Sequence, residues 1–185
     1  MRIPLFNMRA LTFEETRILL CKIVKYKKDT LLIMLKEKMK SLIVFRIQKA
    51  RVFEAFLGIT RQSQSFQEHQ VGSVGTCLAR HTHSSRLLLV VPSIKIISNH
   101  PVSNSLGLTK SGETVFLRGL HVSPTSLAWA NKNLIRGEGV FLIGPSGIVL
   151  GFGEIIEVIQ FQKISNYRKI ILINHGDIGS YTRTY

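Results

Sequence analysis

The sequence predicts an α+β fold in two parts, an N-terminal mixed α/β domain followed by a small C-terminal β-barrel. Three observations carry this. A capped amphipathic helix opens the chain, a run of short glycine-punctuated strands fills its second half, and the texture changes between them near Ser93. A length of 185 residues allows one large domain or two small ones, and a 45% hydrophobic content is ample for packed cores.

Thr12 and Glu15 have the spacing of a capping box, so a helix is expected to begin near Phe13. Phe13, Ile18, Leu19, Leu20, Ile23 and Val24 form its apolar positions. Lys22, Lys25, Lys27 and Lys28 crowd its end, where cations suit the helix dipole. Two apolar runs follow, 31–35 and 42–47, with Lys36, Lys38 and Lys40 between them as a hairpin tip. Residues 51–57 continue as strand or enter a helix, and 62–70 is polar. Residues 86–91 read as a strand ended by Pro92.

Beyond Ser93 the pattern predicts one helical turn over 110–116, opened by Ser111. Strands are expected over 117–122, 139–143, 148–152, 155–159 and 169–174. Gly144-Pro145-Ser146-Gly147 is a turn between two of them. Residues 1–7 read as an extension, 8–93 as the first domain and 94–185 as the second.

Charge narrows the partners. Twenty-five Lys and Arg against 11 Asp and Glu give a net +14, of which residues 1–93 carry +10 and 94–185 carry +4. A cationic excess of this size favours polyanions. Two cysteines, Cys21 and Cys77, make neither a disulfide framework nor a four-thiolate zinc site. The best uncharged run, 139–153, holds five glycines and Pro145 and is too short to cross a bilayer, so no membrane partner is expected.

No catalytic constellation emerges. Gly151-Phe152-Gly153 lacks the third glycine and following helix of a dinucleotide loop. Neither a phosphate-binding Gly-Lys-Ser/Thr loop nor a Gly-x-Ser-x-Gly elbow is present. Cys77, His81 and His83 supply at most three metal ligands at non-standard spacing, and Cys77 is better read as a buried thiol. The chain is therefore expected to be no enzyme and to need no cofactor or metal. Trp129 is either a stacking platform or a core residue, with core preferred.

The stretch Met8-Arg9-Ala10-Leu11-Thr12-Phe13-Glu14-Glu15-Thr16-Arg17, then Val74-Gly75-Thr76-Cys77, Val149-Leu150-Gly151-Phe152-Gly153 and His175-Gly176-Asp177-Ile178-Gly179-Ser180-Tyr181 resemble, in order, the Nip-seven family of large-subunit ribosome biogenesis factors. The resemblance spans Met8 to Tyr181, and is poor over 58–72 and 123–135. It implies that the barrel is a PUA domain contacting RNA. The front domain would be a scaffold for docking onto proteins, here pre-60S assembly factors. It also implies a monomer in the nucleus and nucleolus, or in the cytoplasm of an archaeal source, bound to precursor ribosomal RNA.

RNA recognition needs cations for phosphates and planar groups for exposed bases. Gln160, Gln162, Lys163, Tyr167, Arg168 and Lys169 offer that mixture near the late turn. Lys110, Arg118, His121 and Lys132 make a second group. Gly119 is either a point of close RNA approach or a turn glycine. Two rival readings are a protein–protein adaptor and an accessory subunit of an RNA-modifying complex.

Overall fold

A computed structural model describes residues 8–26, 45–49, 52–57, 76–81, 87–94, 104–131, 133–158 and 169–183. The described chain is α+β and falls into two compact units. One holds residues up to Val24 and on to Ser93, and the other holds Lys25, Tyr26 and Ile94 onward.

In the first unit, β1 (Met8–Ala10) precedes helix α1 (Phe13–Val24). Strands β2 (Phe45–Lys49), β3 (Val52–Leu57), β4 (Thr76–His81) and β5 (Leu87–Leu89) follow, in the sheet order β1-β2-β3-β4-β5 with every pair antiparallel. The capping box forms as its spacing predicts. The Thr12 N–H donates to Glu15 Oε2 at 2.9 Å and the Glu15 N–H donates to Thr12 Oγ1 at 3.2 Å. Leu19 and Ile23, four residues apart, bury the inner stripe of α1. Phe13 and Ile18 do not join it; they are 81% and 40% exposed. Ile18 precedes Leu19 by one residue, which turns it about 100° around the helix. The alternation of β5 is clean, with Leu87 and Leu89 buried and Leu88 exposed. Cys77 is half-buried rather than buried, and its thiol points at the Ala79 carbonyl oxygen 3.7 Å away.

The second unit begins with β6 (Ser105–Leu108) and helix α2 (Lys110–Leu117). A 3-10 turn (Pro124–Ser126), β7 (Leu127–Ala130), β8 (Gly139–Ile143), β9 (Val149–Ile155), β10 (Leu172–Asp177) and the helical turn α3 (Ser180–Arg183) complete it. The sheet order is β10-β9-β8-β6-β7, with β6 and β8 parallel and the rest antiparallel. Among the described residues this ladder does not close on itself. Leu106, Leu108, Phe116, Val122, Leu134, Val140, Leu142, Leu150, Ile155 and Leu172 pack one core beneath it. Burying each such side chain contributes about 1.5–3 kcal/mol.

Four local expectations change. The N-cap of α2 is Thr109, whose Oγ1 accepts the Gly112 N–H at 3.1 Å; Ser111 lies inside the helix. Residues 117–122 are not a strand. Leu117 ends α2, and Gly119, at φ +83°, takes the left-handed conformation that terminates helices. Only Val122 reaches the sheet, as a bridge to Leu172. The expected strands 148–152 and 155–159 merge into β9, a single seven-residue strand, in the part that is described. The last strand starts at Leu172, three residues later than expected, and runs on to Asp177. The turn at 144–147 stands where its glycines and proline put it, with Gly147 at φ +77°. The lysine-bearing 36–40 stretch and the polar 62–70 stretch lie outside the described residues.

Lys25 and Tyr26 seal the outer face of this second sheet. Phe141 and Phe152, paired across β8 and β9, point away from the main core, and the Tyr26 ring packs on both at centroid distances of 5.9 and 5.2 Å. Gly139 permits it, because a Cβ there would sit 2.6 Å from the Tyr26 ring. The Tyr26 hydroxyl hydrogen-bonds His175 Nδ1 at 2.9 Å, and Lys25 Nζ pairs with Glu154 at 2.5 Å. Burial pushes the Tyr26 phenol well above its ordinary pKa of 10.0, and Glu154 adds to the shift.

This sets a pH prediction. The folded phenol holds its proton at pH values where the unfolded one has lost it. Stability is therefore fully present below pH 10 and declines as pH rises above it. At neutral pH, Tyr26→Phe should cost about 1 kcal/mol through the lost hydrogen bond. In urea melts at rising alkaline pH the gap between the two proteins should shrink. A gap that holds constant beyond pH 10 contradicts the assignment.

Candidate nucleic-acid interface

The C-terminal end of α2 is held by the tail of the chain. The last carbonyls of a helix have no partner within it. Here Asn174 Nδ2 donates to the Phe116 oxygen at 3.2 Å, and Arg183 Nη1 donates to the Leu117 oxygen. Both donors are fixed by Asp177, which is only 2% exposed. Its Oδ2 accepts from Asn174 Nδ2 at 2.9 Å, and the Arg183 guanidinium grips both carboxylate oxygens at 2.8 and 3.0 Å. The hydrogen bond to Asp177 pushes the Arg183 pKa further up. Gly179 lets the tail come this close, since a Cβ there would sit 2.1 Å from the Leu117 oxygen.

This clamp fixes the loop that carries two of the predicted residues. Arg118 caps α2 and is exposed. Exposed His121 accepts the Asn174 N–H on its Nδ1 at 3.3 Å, which sets the plane of the imidazole. Lys110 is exposed at the opposite end of α2, about 12 Å away along the helix. Arg118 and His121 thus share the loop that follows α2, and Lys110 lies at the other end of that helix.

Lys169 is exposed but not unpaired: its ammonium lies 2.5 Å from Glu157 Oε1. Gln160, Gln162, Lys163, Tyr167, Arg168 and Lys132 lie outside the described residues, as does His83. Among the described residues no group of three His, Cys, Asp or Glu side chains is placed to hold a metal. No helix among them is long and apolar enough to cross a membrane. Asp177, Asn174 and Arg183, which hold the loop, are not a set that the sequence announces. Asp177 and its neighbours stand out there only as a family-like tail. Trp129, expected in the core, is 40% exposed on β7.

The second unit matches the family model for the UPF0113 PUA domain over residues 105–185. Its fold is shared with a conserved PUA-domain protein from Thermoplasma acidophilum. That likeness has a TM-score of 0.60 at 10% identity, covering 97% of this chain and 99% of the other. This is a PUA-domain protein. Similarity also runs the length of the chain. It is 27% identical over 176 residues to the 60S ribosome subunit biogenesis protein NIP7 homolog of Pongo abelii, covering 95% of this chain and 97% of the relative. It is 26% identical to the NIP7 protein of Saccharomyces cerevisiae, covering 95% and 96%. Over nearly its whole length, then, the chain is similar to the NIP7 proteins.

Proposed function

We propose that this protein is an RNA-binding assembly factor of the large ribosomal subunit. It binds precursor ribosomal RNA through its PUA unit and pre-60S assembly proteins elsewhere. The observation that carries this reading is the end-to-end match to relatives named for 60S subunit biogenesis. A net charge of +14 supports a polyanionic partner. The protein acts as a monomer in the nucleus and nucleolus, binding without turnover of RNA or nucleotides. Residues 8–93 form the scaffold and 94–185 the RNA-binding domain.

The second sheet is read as a PUA barrel. Supporting this, the chain runs from the Val122 bridge beside β10, at one end of the sheet order, to β7 at the other end in only a few residues. Arg118 and His121 on the loop after α2, Lys110 at the other end of that helix, and Lys132 are one set of RNA contacts in this reading. Gln160, Gln162, Lys163, Arg168 and Lys169 make the other.

Salt dependence tests the site. Changing Lys163, Arg168 and Lys169 together to alanine should leave the protein folded and weaken RNA binding. For each phosphate no longer neutralised, the salt slope should flatten by about 0.7 on a single strand. Lys169, already paired with Glu157, should contribute least of the three. Changing Lys36, Lys38 and Lys40 removes the same charge from the first domain. Equal losses of affinity from the two sets would mean that bulk charge, rather than a site, holds the RNA.

A further inference from the structure

On β6, Leu106 and Leu108 face the core, so Gly107 between them faces the other side of the sheet. Its cross-strand partner is Trp129 on β7, the strand at the end of the sheet order. A Cβ on Gly107 would lie 2.0 Å from Trp129 Nε1, 2.2 Å from Cε2 and 2.5 Å from Cδ1. These three distances are nearly equal. An indole approaching by its edge would hold the two flanking atoms much farther off than Nε1. The ring therefore lies with one face flat on the Gly107 backbone, and the residue as a whole is 40% exposed.

The glycine makes this seat possible, because any side chain at 107 would occupy the space of the ring. The immediate chain neighbours are small or polar: Ala128, Asn131 and Asn133 are exposed and Ala130 is half-buried. A docking surface for an apolar protein would need a wider contiguous patch. A rigid, exposed aromatic plane on a strongly basic protein suits a flat ligand attached to a polyanion.

We propose that Trp129 is a stacking platform for one unpaired nucleobase of the bound RNA, so that the protein prefers single-stranded or splayed segments to duplex. The proposal rests on the RNA-binding reading above and adds a contact outside the cationic groups. A base inside a duplex is already stacked on both faces and cannot use the platform.

Trp129 is the only tryptophan in the chain, so its emission reports on this site directly. The wild-type protein is titrated with a short end-labelled single-stranded RNA, with the same RNA annealed to its complement, and with inorganic polyphosphate. Binding is followed by anisotropy of the label, or by competition for polyphosphate, while tryptophan emission is read in parallel. Single-stranded RNA should quench emission in step with binding, whereas duplex and polyphosphate should bind with emission unchanged. Trp129→Leu should weaken single-strand binding by about 5- to 160-fold, the effect of losing one stacked base. Trp129→Phe should recover part of the loss.

Binding of single-stranded RNA without quenching overturns the platform but leaves the RNA reading standing, and would point to a protein ligand for this face. Equal quenching by duplex and single strand, or an unaffected Trp129→Leu variant, also overturns it. No binding of either RNA removes both readings. Should the leucine variant fail to fold, the wild-type titration decides alone.

Discussion

Asp177→Ala should destabilise the second unit by about 3 kcal/mol, the lower end of the range for breaking a buried ion pair. Asp177 is 2% exposed and accepts three N–H groups, two from Arg183 and one from Asn174. Removing it strands both donors and releases their hold on the Phe116 and Leu117 carbonyls. The loss stays below the upper end because the Arg183 side chain is 36% exposed and recovers some hydration. In a chain of this size it should lower the melting temperature by about 6–12 °C. Asp177→Asn keeps the shape and should lose less. The loop holding Arg118 and His121 loses its anchor in both variants, so amide exchange at 118–121 should accelerate. A thermal melt within 2 °C of wild type (well under the roughly 6 °C floor) would show that the clamp is dispensable.

Gly151→Val should be as damaging, by another route. A Cβ at 151 would stand 2.3 Å from the Gly176 oxygen, 2.7 Å from the Phe116 ring and 2.9 Å from the Asp177 Cα. Two of these are backbone atoms of β10, and the third is a ring fully buried in the core. None can yield without moving the β9–β10 pairing. Overpacking of this kind typically costs about 1–3 kcal/mol and occasionally more, and three simultaneous clashes place Gly151→Val at about 3 kcal/mol or above. Gly147→Ala in the same unit is a useful contrast. No atom lies within 4 Å of its Cβ position, so only the φ of +77° opposes it, and its effect should be near 1 kcal/mol. Equal chemical-denaturation midpoints for the two variants would contradict the packing explanation.

These two residues show what is legible in the sequence. Gly151, Asp177 and Gly179 carry a family resemblance, and the structure gives each a physical task in a close approach or a clamp. The α1 capping box and the turn at 144–147 are readable because each depends on residues three or four apart. Strands β6 and β7 are not readable. Each has four residues, too few to display a period, and their pairing depends on segments far away in sequence. The strand expected over 117–122 fails because a leucine and valine run can end a helix as readily as form a strand. The φ of Gly119 decides between them. The core is the natural expectation for Trp129 because large aromatics usually lie there. What frees it is a glycine on the neighbouring strand, which no local pattern around 129 announces.

If the chain joins large-subunit assembly by holding precursor ribosomal RNA on its PUA unit, the RNA and the protein surface it touches can be captured together. Ultraviolet crosslinking in cells, with sequencing of the recovered RNA and mapping of the crosslinked peptides, tests this most directly. The predicted result is enrichment of large-subunit precursor RNA, with crosslinked peptides drawn from residues 105–185, among them those bearing Trp129 or the 160–169 stretch. Recovery of no ribosomal RNA, or crosslinks confined to residues 8–93, would contradict it.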